Sequence, residues 1–210
     1  MDLKTIFSWE NIQVVGSICG SIALTAYVAY KTFKSKLEKL DLGKVGASVA
    51  KEVKRQSTLD VEITQEMDKV KELLGADRVQ VYEFHNGAHY ANGRSALKTT
   101  CTYEVCRYGV HSCVNVLSGI PLSCIPNFIN RLLDDGELYV ESLKDIEEKM
   151  PATYSLKHSM DITSFYDVII NNKMGEPVGF VAIQYCDGVH HEVNKDEIKR
   201  LAWFIESKLL

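Results

Sequence analysis

Residues 164–209 read SFYDVIINNKMGEPVGFVAIQYCDGVHHEVNKDEIKRLAWFIESKL, and three patterns follow one another in that stretch. Ser164 to Asn171 is a short run rich in β-branched and aromatic residues, which suits a strand. Asn172-Lys173-Met174-Gly175-Glu176-Pro177 carries the residue types of a turn, and Val178 to Tyr185 is a second strand-like run. From Asn194 to Leu209 the apolar positions Ile198, Leu201, Ala202, Ile205 and Leu209 recur at helical spacing. Asn194 can cap this helix, and Glu197 three positions on completes a capping-box pattern with Asn in place of Ser or Thr. The chain therefore closes as strand, turn, strand and amphipathic helix.

Working upstream, the pattern changes from period 3.6 to period 2 after Gly75. Val79, Val81 and Glu83 alternate with Gln80, Tyr82 and Phe84, and His85-Asn86-Gly87 follows. That cluster reads either as a hairpin turn, because Asn-Gly suits positive φ, or as part of a pocket in which His85 meets a ligand. Leu97 to Arg107 suits the second strand of the pair. Pro126 to Leu133 reads as a helix stopped by Asp134-Asp135-Gly136, and Glu141 to Met150 reads as helical. Residues 31–74 read as helix with interruptions at Leu42-Gly43 and Ser57-Thr58. Within it Ile63, Met67, Val70 and Leu74 make the clearest apolar face, expected to pack on the soluble domain.

From Ile12 to Tyr30 the sequence IQVVGSICGSIALTAYVAY has no charged residue. A helix of that length reaches roughly 28 Å, the thickness of a bilayer's hydrocarbon layer. Trp9 and Tyr30 bracket it, as amphipathic rings do at the headgroup level. The expected organisation is a short tail over 1–11, a transmembrane helix over 12–30, a basic juxtamembrane linker over 31–57 and a soluble domain over 58–210. Small residues recur along the span at Gly16, Ser17, Gly20, Ser21 and Thr25, a stripe that lets a second helix approach closely in lipid. The linker reads either as a coiled stalk or as a membrane-surface helix. One lysine lies in the first eleven residues and five lie between Lys31 and Lys44, which favours a cytoplasmic soluble domain.

The remaining composition narrows the function. Lys and Arg total 24 against 28 Asp and Glu, for a formal net charge of −4, so no excess of positive charge points to nucleic acid. Six cysteines are too sparse for a disulfide scaffold. Cys101, Cys106, His111 and Cys113 lie close in sequence, but Cys124 and Cys186 add no second knuckle. The spacing of Cys101 and Cys106 on a strand places them on opposite faces, so no metal site and no cofactor is expected. There is no phosphate-binding loop, dinucleotide fingerprint, nucleophile elbow or His-Glu-x-x-His, and the expectation is a protein that is not an enzyme.

The order helix, two strands, helical middle, strand–turn–strand and closing helix resembles a GAF domain, carried most clearly by GEPVGFVAIQY and the capped helix after it. The fold expected is therefore α+β: an N-terminal transmembrane helix, a connecting helix, then a GAF/PAS-like antiparallel sheet flanked by helices over 58–210. The GAF resemblance implies a domain that binds cyclic nucleotides, haems or bilins, or nothing at all. Together with the single span, the pattern from Tyr166 to Leu209 is also similar to the large-lesion phage holins of the T-even type. That second resemblance implies a protein that oligomerises in the host cell inner membrane, forms lesions that release endolysin and so times host cell lysis and viral release. It also implies a soluble domain in the periplasm and an antiholin that binds it. The alternative is a membrane-tethered GAF-like module that binds a ligand or partner without lytic activity.

Overall fold

The structure, a computed structural model, describes residues 23–36, 42–189 and 191–209. The chain divides into two compact units, Met1–Gln56 and Ser57–Leu210. In the first unit residues 23–36 form a helix, α1, on which Leu24, Tyr27, Tyr30 and Phe33 are all more than half exposed. Among the described residues no helix is long and apolar enough to cross a membrane. The first eleven positions of the expected span, with Gly16, Ser17, Gly20 and Ser21, lie outside the described residues, whereas Thr25 stands on α1 and is exposed.

Helix α2 runs over Leu42–Leu74. The interruption expected at Ser57-Thr58 does not occur; both residues are helical. Ser and Thr cost a helix interior only about 0.5 kcal/mol each, too little to break one whose next turns are buried. Ile63, Met67, Val70 and Leu74 form that buried face. The helix ends where Gly75 adopts φ +62° and the Ala76 N–H reaches back to the Lys71 carbonyl at 3.0 Å, the hydrogen bonding of a Schellman cap.

The second unit is built on a six-stranded antiparallel sheet. Its strands are β1 (Arg78–His89), β2 (Ser95–Cys106), β3 (Ile120–Pro121), β4 (Glu137–Val140), β5 (Ser164–Asn171) and β6 (Pro177–Tyr185), in the order β3-β2-β1-β6-β5-β4. One face carries Val79, Val81, Val168, Ile170, Val181 and Ile183 and packs against α2 and the closing helix α5 (Lys195–Leu209) through Ile198, Leu201 and Ile205. The opposite face packs against α3 (Pro126–Asp135), a 3-10 turn at Leu143–Ile146 and α4 (Pro151–His158). Asn194 does cap α5, accepting the Glu197 N–H at 3.4 Å.

Three local expectations are corrected. Strand β1 runs straight through His85-Asn86-Gly87, and the chain reverses at Tyr90–Arg94 instead. The sequence holds two Asn-Gly pairs, and Asn92-Gly93 makes the turn: Gly93 has φ +80°, and Asn92 Oδ1 accepts the Arg94 N–H at 3.1 Å. Gly87 serves close packing, since a Cβ there would stand 2.8 Å from the Ala96 carbonyl oxygen. Secondly, Glu141–Met150 is not a regular helix but a 3-10 turn, and α4 begins only at Pro151. Proline disfavours helical geometry in the residue before it and is tolerated at a helix's first turn; Met150 accordingly has φ −139° and ψ 61°. Thirdly, a register shift between Val81 and Tyr82 pairs Tyr82 with Cys101 and Arg78 with Cys106. The extra residue restores both cysteines to one face, against their spacing.

Candidate functional site

The face covered by α3 and α4 carries a row of polar residues where a core would ordinarily be apolar. Alternation along β1 puts Arg78, Gln80 and Tyr82 on this face, and the register adds Glu104 from β2, Gln184 from β6 and Asp167 from β5. Arg78, Gln80, Asp167 and Gln184 are each at most 2% exposed. Buried polar groups are costly unless bonded, and most of these are. Arg78 Nη1 donates to Gln184 Oε1 at 3.0 Å, Gln184 Nε2 to Gln80 Oε1 at 2.7 Å, and Gln80 Nε2 to Glu104 Oε1 at 2.7 Å. The Tyr82 hydroxyl donates to Gln80 Oε1 at 2.8 Å.

This network also holds the loop between β2 and β3. Arg78 Nη2 donates to the His111 carbonyl at 2.8 Å, and Glu104 accepts from the Ser112 hydroxyl and from the Cys113 N–H. Burial works to raise the Glu104 carboxyl, but these hydrogen bonds, with the one from Gln80 and the nearby Arg78 charge, outweigh it and hold the group below the usual carboxylate range.

Beside the network Lys157 of α4 meets Asp167 at 3.0 Å. The ammonium stands 3.8 Å from the centre of the Phe165 ring and 5.6 Å from that of Phe128, within the reach of cation–π attraction. Burial pushes the Lys157 amine down and the Asp167 carboxyl up, each toward its neutral form, while their mutual attraction opposes both shifts. Asp167 Oδ1 and Thr99 Oγ1 are buried and have no hydrogen-bond partner. Each such orphan costs on the order of 1–3 kcal/mol.

Thr99 and Lys157 line a crevice between the sheet and the two helices, with the rings of Tyr82, Phe128 and Phe180. Tyr82 and Phe180 stack at 4.5 Å, and Phe128 meets Phe180 edge-on at 5.6 Å. The crevice holds about 20 Å³ of free space, room for one water and no more. A ligand enters only if side chains at its rim, such as Ile120 and Leu156, swing aside. A second and larger space, about 590 Å³, opens on the far side of α4 between the 3-10 turn, the start of β5 and Gly188–Val189.

The residues singled out from sequence lie elsewhere. His85, Asn86 and Gly87 are exposed on the outer part of β1, where His85 Nε2 stands 2.8 Å from the Thr100 hydroxyl. His191 sits 3.0 Å from both Asp187 oxygens and stacks on Tyr185; His190 lies outside the described residues. Cys101, Cys106, Cys113, Cys124 and Cys186 are free thiols. Burial pushes Cys101 up to about 12 and Cys186 up to about 11, so neither is a thiolate nucleophile at neutral pH. Among the described residues no group of three or more His, Cys, Asp or Glu side chains could hold a metal ion. The residues sequence reasoning missed are Arg78, Gln80, Thr99, Glu104, Lys157, Asp167 and Gln184.

No known family's sequence model matches the chain, and no curated protein matches it. Solved structures do. The blue-light absorbing form of the Thermosynechococcus elongatus PixJ GAF domain is 13% identical, with a TM-score of 0.54 over 73% of this chain and 88% of that one. The GAF domain region of a Geobacter sulfurreducens PCA protein is also 13% identical, with a TM-score of 0.55 over 76% of this chain and 97% of its own. A far-red cyanobacteriochrome photoreceptor gives 14% identity and a TM-score of 0.52 over 80% and 97%. None of these findings supports the resemblance to holins. What they establish is the architecture: Ser57–Leu210 has a GAF-like fold, an antiparallel sheet flanked by helices.

Proposed function

We infer that the chain is a membrane-tethered, non-catalytic module that binds a small ligand in the crevice between the sheet and α3 and α4. The observation that carries this reading is the orphaned hydroxyl of Thr99, next to Lys157 and three aromatic rings, in an otherwise close-packed core. A core selected for stability alone would place valine there; a hydroxyl left without a partner is a group waiting for one. The GAF domains it resembles include photoreceptor domains, which favours a planar, partly apolar ligand. The uncharged stretch from Ile12 to Tyr30 and the exposed apolar side chains of α1 supply the tether.

The test is thermal unfolding of the full-length chain in detergent with cyclic nucleotides, haem and a linear tetrapyrrole. Stabilisation by one of them, lost in Thr99→Val, is the expected result; no shift with any of the three counts against the reading. The lytic alternative keeps one specific feature, the small-residue stripe through Gly16 and Gly20. Expression in a bacterium separates the two, because a holin stops respiration abruptly, whereas a binding module lets growth continue at high membrane levels of intact protein.

A further inference from the structure

Two lysines are buried among the described residues, and they are held in opposite ways. Lys71 reaches out to Asp68 and Glu72, whose side chains are exposed. Burial works to lower its amine, but those two carboxylates outweigh it and hold the group above its ordinary value. Lys157 instead meets Asp167, which is itself sealed from water. Here burial wins, lowering the amine and raising the carboxyl against the attraction within the pair. Asp167 takes its hydrogen bond through Oδ2, while Oδ1 is buried with no partner. A carboxylate bonded through one oxygen is weakly held in its charged form.

A proton that passes from Lys157 Nζ to Asp167 Oδ2 along their 3.0 Å hydrogen bond leaves a neutral amine beside a neutral carboxylic acid. Such an amine is a nucleophile toward a carbonyl carbon. Lys157 lines the crevice that also holds the partnerless Thr99 hydroxyl and the rings of Tyr82, Phe128 and Phe180. Resting on the binding reading above and naming its ligand's chemistry, we propose that Lys157 forms an imine with a small aldehyde that carries a flat apolar body. Nζ attacks the aldehyde carbon, and an amine proton moves to the oxygen to give the carbinolamine. The Thr99 hydroxyl donates to that oxygen as charge builds on it. The Asp167 acid then protonates the departing hydroxyl, water leaves, and the nitrogen lone pair closes the double bond. Amine and aldehyde have become imine and water, with no oxidant or reductant required. The protonated imine lies opposite the restored Asp167 carboxylate, at the place the ammonium holds 3.8 Å from the Phe165 ring centre, so the cation–π attraction is kept.

Trapping the imine in the full-length chain in detergent tests this, with benzaldehyde as probe, cyanoborohydride to reduce the adduct, and peptide mass spectrometry to locate it. An exposed lysine with the usual value near 10.4 is neutral in only about one molecule in ten thousand at about pH 6.5. At that pH the label concentrates on Lys157, about tenfold or more above any exposed lysine. All sites are read in the one unaltered chain, so the result does not depend on a variant that folds. Thr99→Val lowers the label on Lys157 by about fivefold or more, as the loss of one hydrogen bond requires; undiminished label in that variant overturns the proposal. Benzyl alcohol has the same ring and forms no imine, so it separates two failures. If it shifts the methyl signals of Thr99 and Ile120 while Lys157 takes no more label than exposed lysines, the imine is overturned and the binding reading stands. If neither effect is seen, both fall.

Discussion

Lys157 and Asp167 meet where neither can reach water, with exposures of 6% and 0%. Removing one partner of such a pair strands the other, so Lys157→Met should lose about 3–5 kcal/mol in urea denaturation. The double variant Lys157→Met with Asp167→Leu should stay within about 1 kcal/mol of the parent or exceed it, because two apolar side chains of similar bulk replace a costly pair. Equal losses in the single and double variants would mean that the ion pair itself stabilises the fold. Gly179 is constrained differently: a Cβ there would stand 2.0 Å from the Tyr82 carbonyl oxygen, where β6 passes β1. Gly179→Ala should therefore cost about 2 kcal/mol or more, since backbone cannot yield as a flexible side chain does. Part of this scale is legible beforehand. Asp167 is the one charge inside SFYDVIIN, and Gln80 and Gln184 each interrupt an apolar run. A lone polar residue in a strand buried on both faces is a signal of a buried network. Its partner Lys157 gave no such signal, because it lies on a helix that the apolar pattern did not reveal.

At the scale of elements, α2 and α4 end in the same hydrogen-bonding pattern with different residues. Gly75 takes the left-handed position after α2, but Asp161 takes it after α4 with φ +59°, while the Ile162 N–H reaches the Lys157 carbonyl at 3.2 Å. Glycine pays no Cβ penalty there, so Asp161→Gly should stabilise the protein by about 1 kcal/mol, read as a raised urea midpoint; a lowered midpoint would mean the Asp161 carboxylate makes a needed contact.

Strand β4 is tied to α5 by Glu137, which pairs with Lys199 at 2.6 Å and Lys195 at 3.2 Å. The Lys199 and Lys195 ammonium groups hold its carboxyl down to about 2, against an ordinary 4.5. A carboxyl depressed on folding stabilises fully above its unfolded value and loses that contribution as pH falls toward the folded one. With the side chain 27% exposed, the contribution is about 1 kcal/mol or less. Glu137→Gln should be less stable than the parent at neutral pH, and the gap should close by about pH 2; a gap that persists in acid would assign the loss to packing.

Strands β5 and β6 and helix α5 were legible because each has a strong period and a turn or cap at its boundary. Strand β4 and helix α4 were not. The four residues of β4 are too few to carry a period, and the proline that starts α4 reads equally as the end of the segment before it.

For the whole molecule, the GAF-like order of elements could be read from the last third of the chain, whereas the buried polar face could not. That face is assembled from four strands and a helix, with Arg78 and Gln184 joined across 106 positions. Long-range register, including the one-residue shift in β1 and β2, decides which side chains share it, and composition carries no trace of register. The claim on which the functional account rests is that this face accepts a ligand at Thr99 and Lys157. Methyl-labelled NMR of the full-length chain in detergent measures this directly, using whichever of the cyclic nucleotide, haem or tetrapyrrole raises the melting temperature. The account predicts that the methyl signals of Thr99, Ile120 and Met160, all lining the crevice, shift together and saturate with ligand. Signals that stay fixed there while only methyls elsewhere on the surface respond would contradict it.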